Sequence, residues 1–244
     1  MATYDYESGK ERVDAILNNE LKVIEKAIPS DSSFTFENGY YGWVTGIFVD
    51  IRDSSTLFAD ENQVKVSKIV RSFTSEIIEI LRDDDNLREI GIRGDCVYAV
   101  YATPSKSDIH ELADKTFYVN TYLNMLNKLL QKKDYPTIKA GIGMSTAEEL
   151  VVKAGRKDVG INNKVWIGSA VTKASNLSSM GNKDGISPLV YSSVSYSNFI
   201  DALIKDNGEK AKSWFTKKSD AQNGTYYHGS IIKTNFNKWI ESNI

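Results

Sequence analysis

The sequence predicts an α+β domain built on a ferredoxin-like βαββαβ core, with a helix before it and further strands and helices after it. Three observations carry this expectation. Apolar and β-branched runs bounded by turn residues lie at 43–50, 88–101 and 137–145. Two longer stretches, 62–82 and 107–131, repeat apolar residues at three and four, the helical spacing. Their order is strand, helix, strand, strand, helix, strand, the split β-α-β arrangement of ferredoxin-like and palm-type domains.

Taken in order, residues 9–28 read as one amphipathic helix with Val13, Ile16, Leu17, Leu21, Ile24 and Ile28 on one stripe. Packing on the domain and a subunit contact are the two readings of that stripe. Residues 29–42 form a polar link rich in turn residues. The chain is therefore divided into an N-terminal helical extension and linker, 1–42, and the main domain, 43–244. Trp43–Asp50 is the first core strand. Val66, Ile69, Val70, Phe73, Ile77, Ile80 and Leu81 make the apolar stripe of the first core helix. Asp83-Asp84-Asp85 after it is a turn rather than a metal cluster. The segment REIGIRGDCVYAVY reads as two short strands around a Gly94-Asp95 turn. The second core helix shows Ile109, Leu112, Ala113, Thr116, Val119, Leu123, Leu126 and Leu130 on one side, and Thr137–Ser145 is the strand that follows it. Beyond it, strand signals fall at 150–154, 164–168, 188–191, 212–216 and 225–232, and helix signals at 169–180, 192–205 and 235–243.

Composition bounds the function. The 244 residues are 41% hydrophobic and 25% charged, with a net charge of −2. Such a balance gives no bulk positive field for nucleic acid. No window approaches 18 consecutive apolar residues, so no spanning helix and no stable membrane anchoring are expected. The charged N-terminus does not read as a signal peptide. One cysteine, Cys96, excludes an internal disulfide and fits a reducing compartment. The expectation is a soluble cytoplasmic protein.

The segment GIFVDIRDSSTLF, 46–58, is an apolar strand that ends in a carboxylate and a hydroxyl-rich turn. In a βαββαβ core its strand neighbours the third, so Asp50 and the hairpin residue Asp95 come to one sheet edge. Two carboxylates forced together repel unless a cation bridges them, and hard cations take such oxygen ligands together with phosphates. The turn from Ile51 to Thr56 offers backbone N–H groups, the hydroxyls of Ser54, Ser55 and Thr56, and a helix start, all suited to phosphate. The alternative is a helix-capping Asp50 and an ordinary turn aspartate.

The residues resemble the class III nucleotidyl cyclase family. Phe48-Val-Asp50-Ile-Arg-Asp-Ser-Ser55 is similar to its F-x-D-I-x-G-F-T motif, and Arg93-Gly-Asp95-Cys-Val-Tyr98 to its I-G-D-C-x-Y motif. KAGIGMS resembles V-G-I-H-S-G, and the segment from Val165 to Leu177 resembles D-I-W-G-x-x-V-N-x-A-S-R-M. The resemblance implies a class III catalytic domain acting as a homodimer with substrate between subunits. It implies two ions, Mn²⁺ or Mg²⁺, held by Asp50, Asp95 and the carbonyl of Ile51. It places Phe48, Arg52, Ser54, Ser55, Thr56, Arg93, Trp166 and Lys173 around the nucleotide. The chemistry implied is attack of the ribose 3′-oxygen on the α-phosphorus with loss of pyrophosphate.

The departures narrow the substrate. The family's adenine readers, a lysine and an aspartate, are Gly91 and Val165 here, and the guanine pair of glutamate and cysteine is absent too. Arg93 shares a strand face with Asp95, Gly91 clears space beside it, and Trp166 and Lys164 are further donors. Uracil presents a carbonyl where cytosine presents an amino group, so donors favour uracil. The family's transition-state asparagine and arginine are Thr172 and Asn176; Lys173, Arg156, Lys217 and Lys218 are candidate replacements or solvated surface charges. The pattern looks most like the pyrimidine cyclases of bacterial Pycsar anti-phage defence. That resemblance implies conversion of UTP to 3′,5′-cyclic UMP, a messenger for a separate effector protein. Cytidylate or adenylate cyclisation, and a degenerate domain that binds nucleotide without catalysis, are the alternatives. Cys96 reads as a small hydrophobe in its strand rather than a redox switch. His110 and His228 lack metal-ligand spacing.

Overall fold

The computed structural model describes residues 4–25, 27–157 and 159–244. The elements run α1 (Tyr6–Leu17), β1 (Lys22–Glu25), β2 (Asn38–Ile51), α2 (Ser54–Asp60), α3 (Gln63–Arg82), β3 (Leu87–Arg93), β4 (Cys96–Ala102) and α4 (Lys106–Gln131). They continue as β5 (Ala140–Arg156), β6 (Ile161–Ile167), α5 (Ala170–Met180), β7 (Leu189–Ser192), α6 (Ser193–Asn207), β8 (Phe215–Asp220), β9 (Gly224–Gly229) and α7 (Thr234–Asn243).

Among the described residues the strands form one sheet in the order β3-β4-β2-β5-β7-β9-β8, with β1 beside β2 and β6 beside β5. The first core strand is central, as the βαββαβ reading requires: β2 pairs antiparallel with both β4 and β5. Alternation along β2 sends Ile47, Val49 and Ile51 into the main core, where they join Ile69, Phe73, Ile77 and Leu81 of α3 and Ile109, Leu112 and Phe117 of α4. Burying each such side chain is worth about 1.5–3 kcal/mol, so this layer fixes which face of β2 is inward. Both helices start on side-chain caps. Asn62 accepts the Val64 N–H at 2.9 Å. Ser105 and Asp108 form a reciprocal capping box at α4.

The opposite face of β2, carrying Gly46, Phe48 and Asp50, lies under α5. Side chains at the glycine positions of β2 and β5 on this face would exclude that helix. A Cβ on Gly141 or Gly143 would overlap backbone atoms of α5 and the residue after it, and one on Gly46 would press on Ala174 at 3.3 Å. Glycine at these positions lets α5 approach the sheet.

Several expectations are corrected. The helix expected over 9–28 stops at Leu17, and Lys22–Glu25 is a strand paired in parallel with Asn38–Tyr41. Asn18 and Asn19 are weak helix formers, and the β-branched pair Val23-Ile24 finds a sheet partner that periodicity does not reveal. The helical part of the stripe does not pack on the domain, since Val13, Ile16 and Leu17 are 54%, 70% and 76% exposed, whereas Ile28 beyond the strand is buried against Phe34 and Val44. Residues 38–42, read as linker, open β2. The separate strands at 137–145 and 150–154 are one strand, β5. The strand expected at 212–216 begins only at Phe215, after a 3₁₀ turn over Glu209–Trp214.

Candidate active site

Asp50 stands one residue before the end of β2, directly opposite Cys96 on β4 and Gly141 on β5. Asp95 precedes Cys96 in the β3–β4 turn, where Gly94 takes φ +63° and makes the reversal. The two carboxylates therefore share one end of the sheet. They feel each other: burial pushes the Asp50 carboxyl above its ordinary value, the Arg52 guanidinium opposes this, and the Asp95 charge adds to the rise.

Arg52 shows what the pair attracts. Its guanidinium contacts the Asp50 carboxylate and donates to the Ser179 carbonyl at 2.7 Å, with its Nε buried and unpaired. A cationic group thus rests against Asp50, and the Asp50 and Asp95 carboxylates are oxygen ligands. That set fits a hard divalent cation. Among the described residues no three His, Cys, Asp or Glu side chains converge on a metal position. A cation on Asp50 and Asp95 would draw its other ligands from the Ile51 carbonyl, water and the nucleotide.

The remaining sequence-predicted residues fall into three places. Ser54, Ser55 and Thr56 form the first turn of α2, entered through Asp53 in a left-handed conformation at φ 55°. Thr56 and Leu57 both bond back to the Asp53 carbonyl, which leaves the N–H groups at the start of the helix facing outward. Phe48 is 9% exposed and stacks on Tyr98 with ring centroids 5.4 Å apart. Lys173 is on α5, near enough to Asp220 to hold that carboxyl below its usual range alongside stronger hydrogen bonds from Asn223. Thr172 is exposed and Asn176 half-buried on the same helix.

The third place is the wall expected to meet the base. Gly91 does not leave open space: the Tyr98 ring fills it, and a Cβ there would lie 2.8–2.9 Å from that ring. Trp166, on β6, gives its indole N–H to Glu89 at 2.7 Å, and Tyr98 gives its hydroxyl to Glu89 at 2.8 Å. Lys164 is paired with Asp31. Arg93 is exposed at the end of β3. The sequence reading missed Glu89, although the alternation that marks Arg93 and Gly91 also includes it. Cys96 is a packed residue: burial, the strongest cause, and the nearby Asp50 charge push its thiol up to about 12.

Glu149 is a second residue that sequence reasoning missed. It is fully buried on β5, and its Oε1 accepts from the Ala170 and Val171 N–H groups at 2.6 and 3.2 Å. It thereby caps α5, while its Oε2 has no partner. Burial outweighs these two donors and pushes its carboxyl up. A raised folded-state pKa contributes stability at low pH that is lost as pH rises through that value. Glu149→Gln, which stays neutral, is expected to melt at or above the wild-type temperature at about pH 7, with the gap closing toward about pH 4. Thermal melts of both proteins across that range check it; a gap that widens on acidification refutes it.

A sheet of this order, crossed by helices on both faces and carrying two acids at the end of its central strand and hairpin, defines the class III nucleotidyl cyclase fold. Comparison with known proteins agrees. Residues 36–203 match the adenylate and guanylate cyclase catalytic domain. A uridylate cyclase of Treponema porcinum is 53% identical over 238 residues, covering 97% of this chain and 81% of that one. A uridylate cyclase of Gulbenkiania mobilis is 30% identical over 251 residues, covering 99% and 97%. The crystal structure of the adenylyl cyclase CyaB from P. aeruginosa superposes with a TM-score of 0.63 at 17% identity, over 80% of this chain and 97% of that one. The chain belongs to the adenylate and guanylate cyclase catalytic domain family. No helix among the described residues is long and apolar enough to cross a membrane.

Proposed function

We propose that this chain is a uridylate cyclase that converts UTP to 3′,5′-cyclic UMP and pyrophosphate. The observation that carries the reading is its 53% identity, over 97% of its length, to a protein named for that activity. The pairing of Asp50 with Asp95 supports it, because the acids stand where charge must be met. The 3′-oxygen forms a bond to the α-phosphorus, the bond from that phosphorus to the bridging oxygen breaks, and the 3′-hydroxyl proton leaves to solvent. Two divalent cations, Mn²⁺ or Mg²⁺, when bound would lower the pKa of the 3′-hydroxyl and neutralise the triphosphate. Asp50, Asp95 and the Ile51 carbonyl would hold these cations at the reacting end. The N–H groups and hydroxyls of Ser54, Ser55 and Thr56 receive the phosphates. Arg52 swings from Asp50 toward the triphosphate as the nucleotide enters. Lys173, with Arg156, Lys217 and Lys218, supplies positive charge across the interface of a homodimer whose sites lie between subunits. The enzyme works in the cytoplasm, and its product is a messenger for a separate effector in anti-phage defence.

Incubating the purified chain with Mn²⁺ and each of the four ribonucleoside triphosphates tests this. Cyclic UMP and pyrophosphate in equal amounts, formed faster from UTP than from any other base, are expected. Binding of UTP without pyrophosphate release would identify a nucleotide-binding domain that has lost catalysis. Faster turnover of CTP or ATP would reassign the substrate.

A further inference from the structure

Glu89 lies on β3 two residues before Gly91 and four before Arg93, so strand alternation puts the three on one face. Its carboxylate is gripped from two directions. Tyr98 Oη on β4 donates to Oε1 at 2.8 Å, and Trp166 Nε1–H on β6 donates to Oε2 at 2.7 Å. Tyr98 rests in turn on Phe48, two residues before Asp50 on β2. The Glu89 carboxylate is thus the point where the β3–β4 hairpin and the β6 arm meet, on the face of the sheet that carries Asp50.

An ionised carboxylate offers about four acceptor positions, and Tyr98 and Trp166 use two. The unused ones have fixed directions, because both oxygens are held. Burial and the bond to Glu89 push the Tyr98 hydroxyl up to about 12, so it remains a donor throughout the physiological range. Arg93, exposed four residues further along the same face, carries donors on a side chain long enough to reach back toward this acceptor. Gly91 and Val165 carry no polar side chain; Glu89 and Arg93 flank Gly91 on its face of β3, and Lys164 and Trp166 flank Val165 along β6.

We propose that Glu89 is the specificity-determining residue of the base pocket, its carboxylate accepting the N3–H of uracil while Arg93 donates to a flanking carbonyl. The proposal rests on the uridylate cyclase reading and deepens it. Uracil carries N3–H between two carbonyl oxygens, so an acceptor beside a donor matches its edge. Cytosine has a bare ring nitrogen at that position. A carboxylate there meets a lone pair, and with the triphosphate fixed at Asp50 and Asp95 the base cannot turn to offer its amino group instead. Sites that hydrogen-bond a particular group discriminate strongly against analogues lacking it, since their own polar groups are left unpaired.

The test uses steady-state kinetics of the full chain with Mn²⁺ and UTP, CTP or 3-methyl-UTP, in which a methyl group replaces the N3 hydrogen. In the wild type, kcat/KM is expected to fall about 100-fold from UTP to 3-methyl-UTP. Glu89→Gln is expected to narrow the UTP-to-CTP ratio of kcat/KM about tenfold or more. Tyr98→Phe and Trp166→Phe should lower turnover of both nucleotides with a smaller change in their ratio. A wild type that uses CTP in preference to UTP overturns the uridylate reading, and this proposal with it. Given UTP turnover, equal use of 3-methyl-UTP and UTP overturns the role of Glu89 alone. So does a Glu89→Gln variant that loses both activities in proportion, which would make the residue a tether of the arm. The 3-methyl-UTP comparison needs no substitution, so it stands even if Glu89→Gln does not fold.

Discussion

Asp50→Ala and Asp95→Ala are each expected to reduce cyclic nucleotide formation by about a thousandfold or more while leaving the fold in place. The size follows from the reaction. Each acid is one of few groups able to hold a cation against the triphosphate, and cation stabilisation of developing charge is worth several kcal/mol. The spared stability follows from the environment. Burial already disfavours the Asp50 carboxylate, and its partner Arg52 keeps the Ser179 carbonyl when the acid is removed. Asp95 sits in a turn at the sheet edge, and its loss empties no core. The check is paired: product by chromatography, and melting temperature within about 4 °C of wild type. A variant that retains cyclisation refutes the assignment of the metal pair.

Gly143→Val is expected to have the largest effect on stability, about 3 kcal/mol, which lowers the melting temperature by about 10 °C. A side chain at 143 overlaps the Ala174 carbonyl and the Ser178 amide, both backbone atoms of α5. Neither can move without lifting the helix, and the helix carries Lys173 and Asn176. Activity should fall with stability. Gly46→Ala is the graded comparison: its Cβ would meet Ala174 Cβ and Val171 Cα at 3.3 Å, a squeeze that small shifts relieve. Differential scanning calorimetry should rank Gly143→Val well below Gly46→Ala. The reverse ranking would show that α5 yields easily, against the close packing described above.

The core was legible where one local rule decided the outcome. α3 and α4 announce themselves through apolar spacing, while the cap that starts α4 at Ser105, two residues before the expected start, was not read. The β3–β4 hairpin is declared by Gly94-Asp95. Asp50 and Asp95 could be placed together because the order of elements dictates neighbouring strands. The rest depended on partners distant in the chain. β5 was read as two strands because Glu148-Glu149 interrupts the apolar run. Glu149 is nevertheless buried, since the α5 N–H groups give its carboxylate somewhere to bond. Residues 18–25 carry helical spacing, yet the Asn38–Tyr41 edge captures Val23-Ile24 as a strand. Arg52 was expected around the nucleotide, and it rests on Asp50. The base wall was misjudged at Gly91, because the Tyr98 ring that fills it comes from the next strand.

The unbroken length of β5 has a bearing on how such a protein changes over evolutionary time. Its 17 residues pair with Ile51 at one extreme and with Ile161 at the other. At about 3.3 Å per residue that is a single ribbon of roughly 55 Å. Altering substrate preference by tilting the β6 hairpin would drag the reactive end out of alignment. Exchange of side chains on β3 and β6 would leave this ribbon, and the position of Asp50 beside it, unchanged.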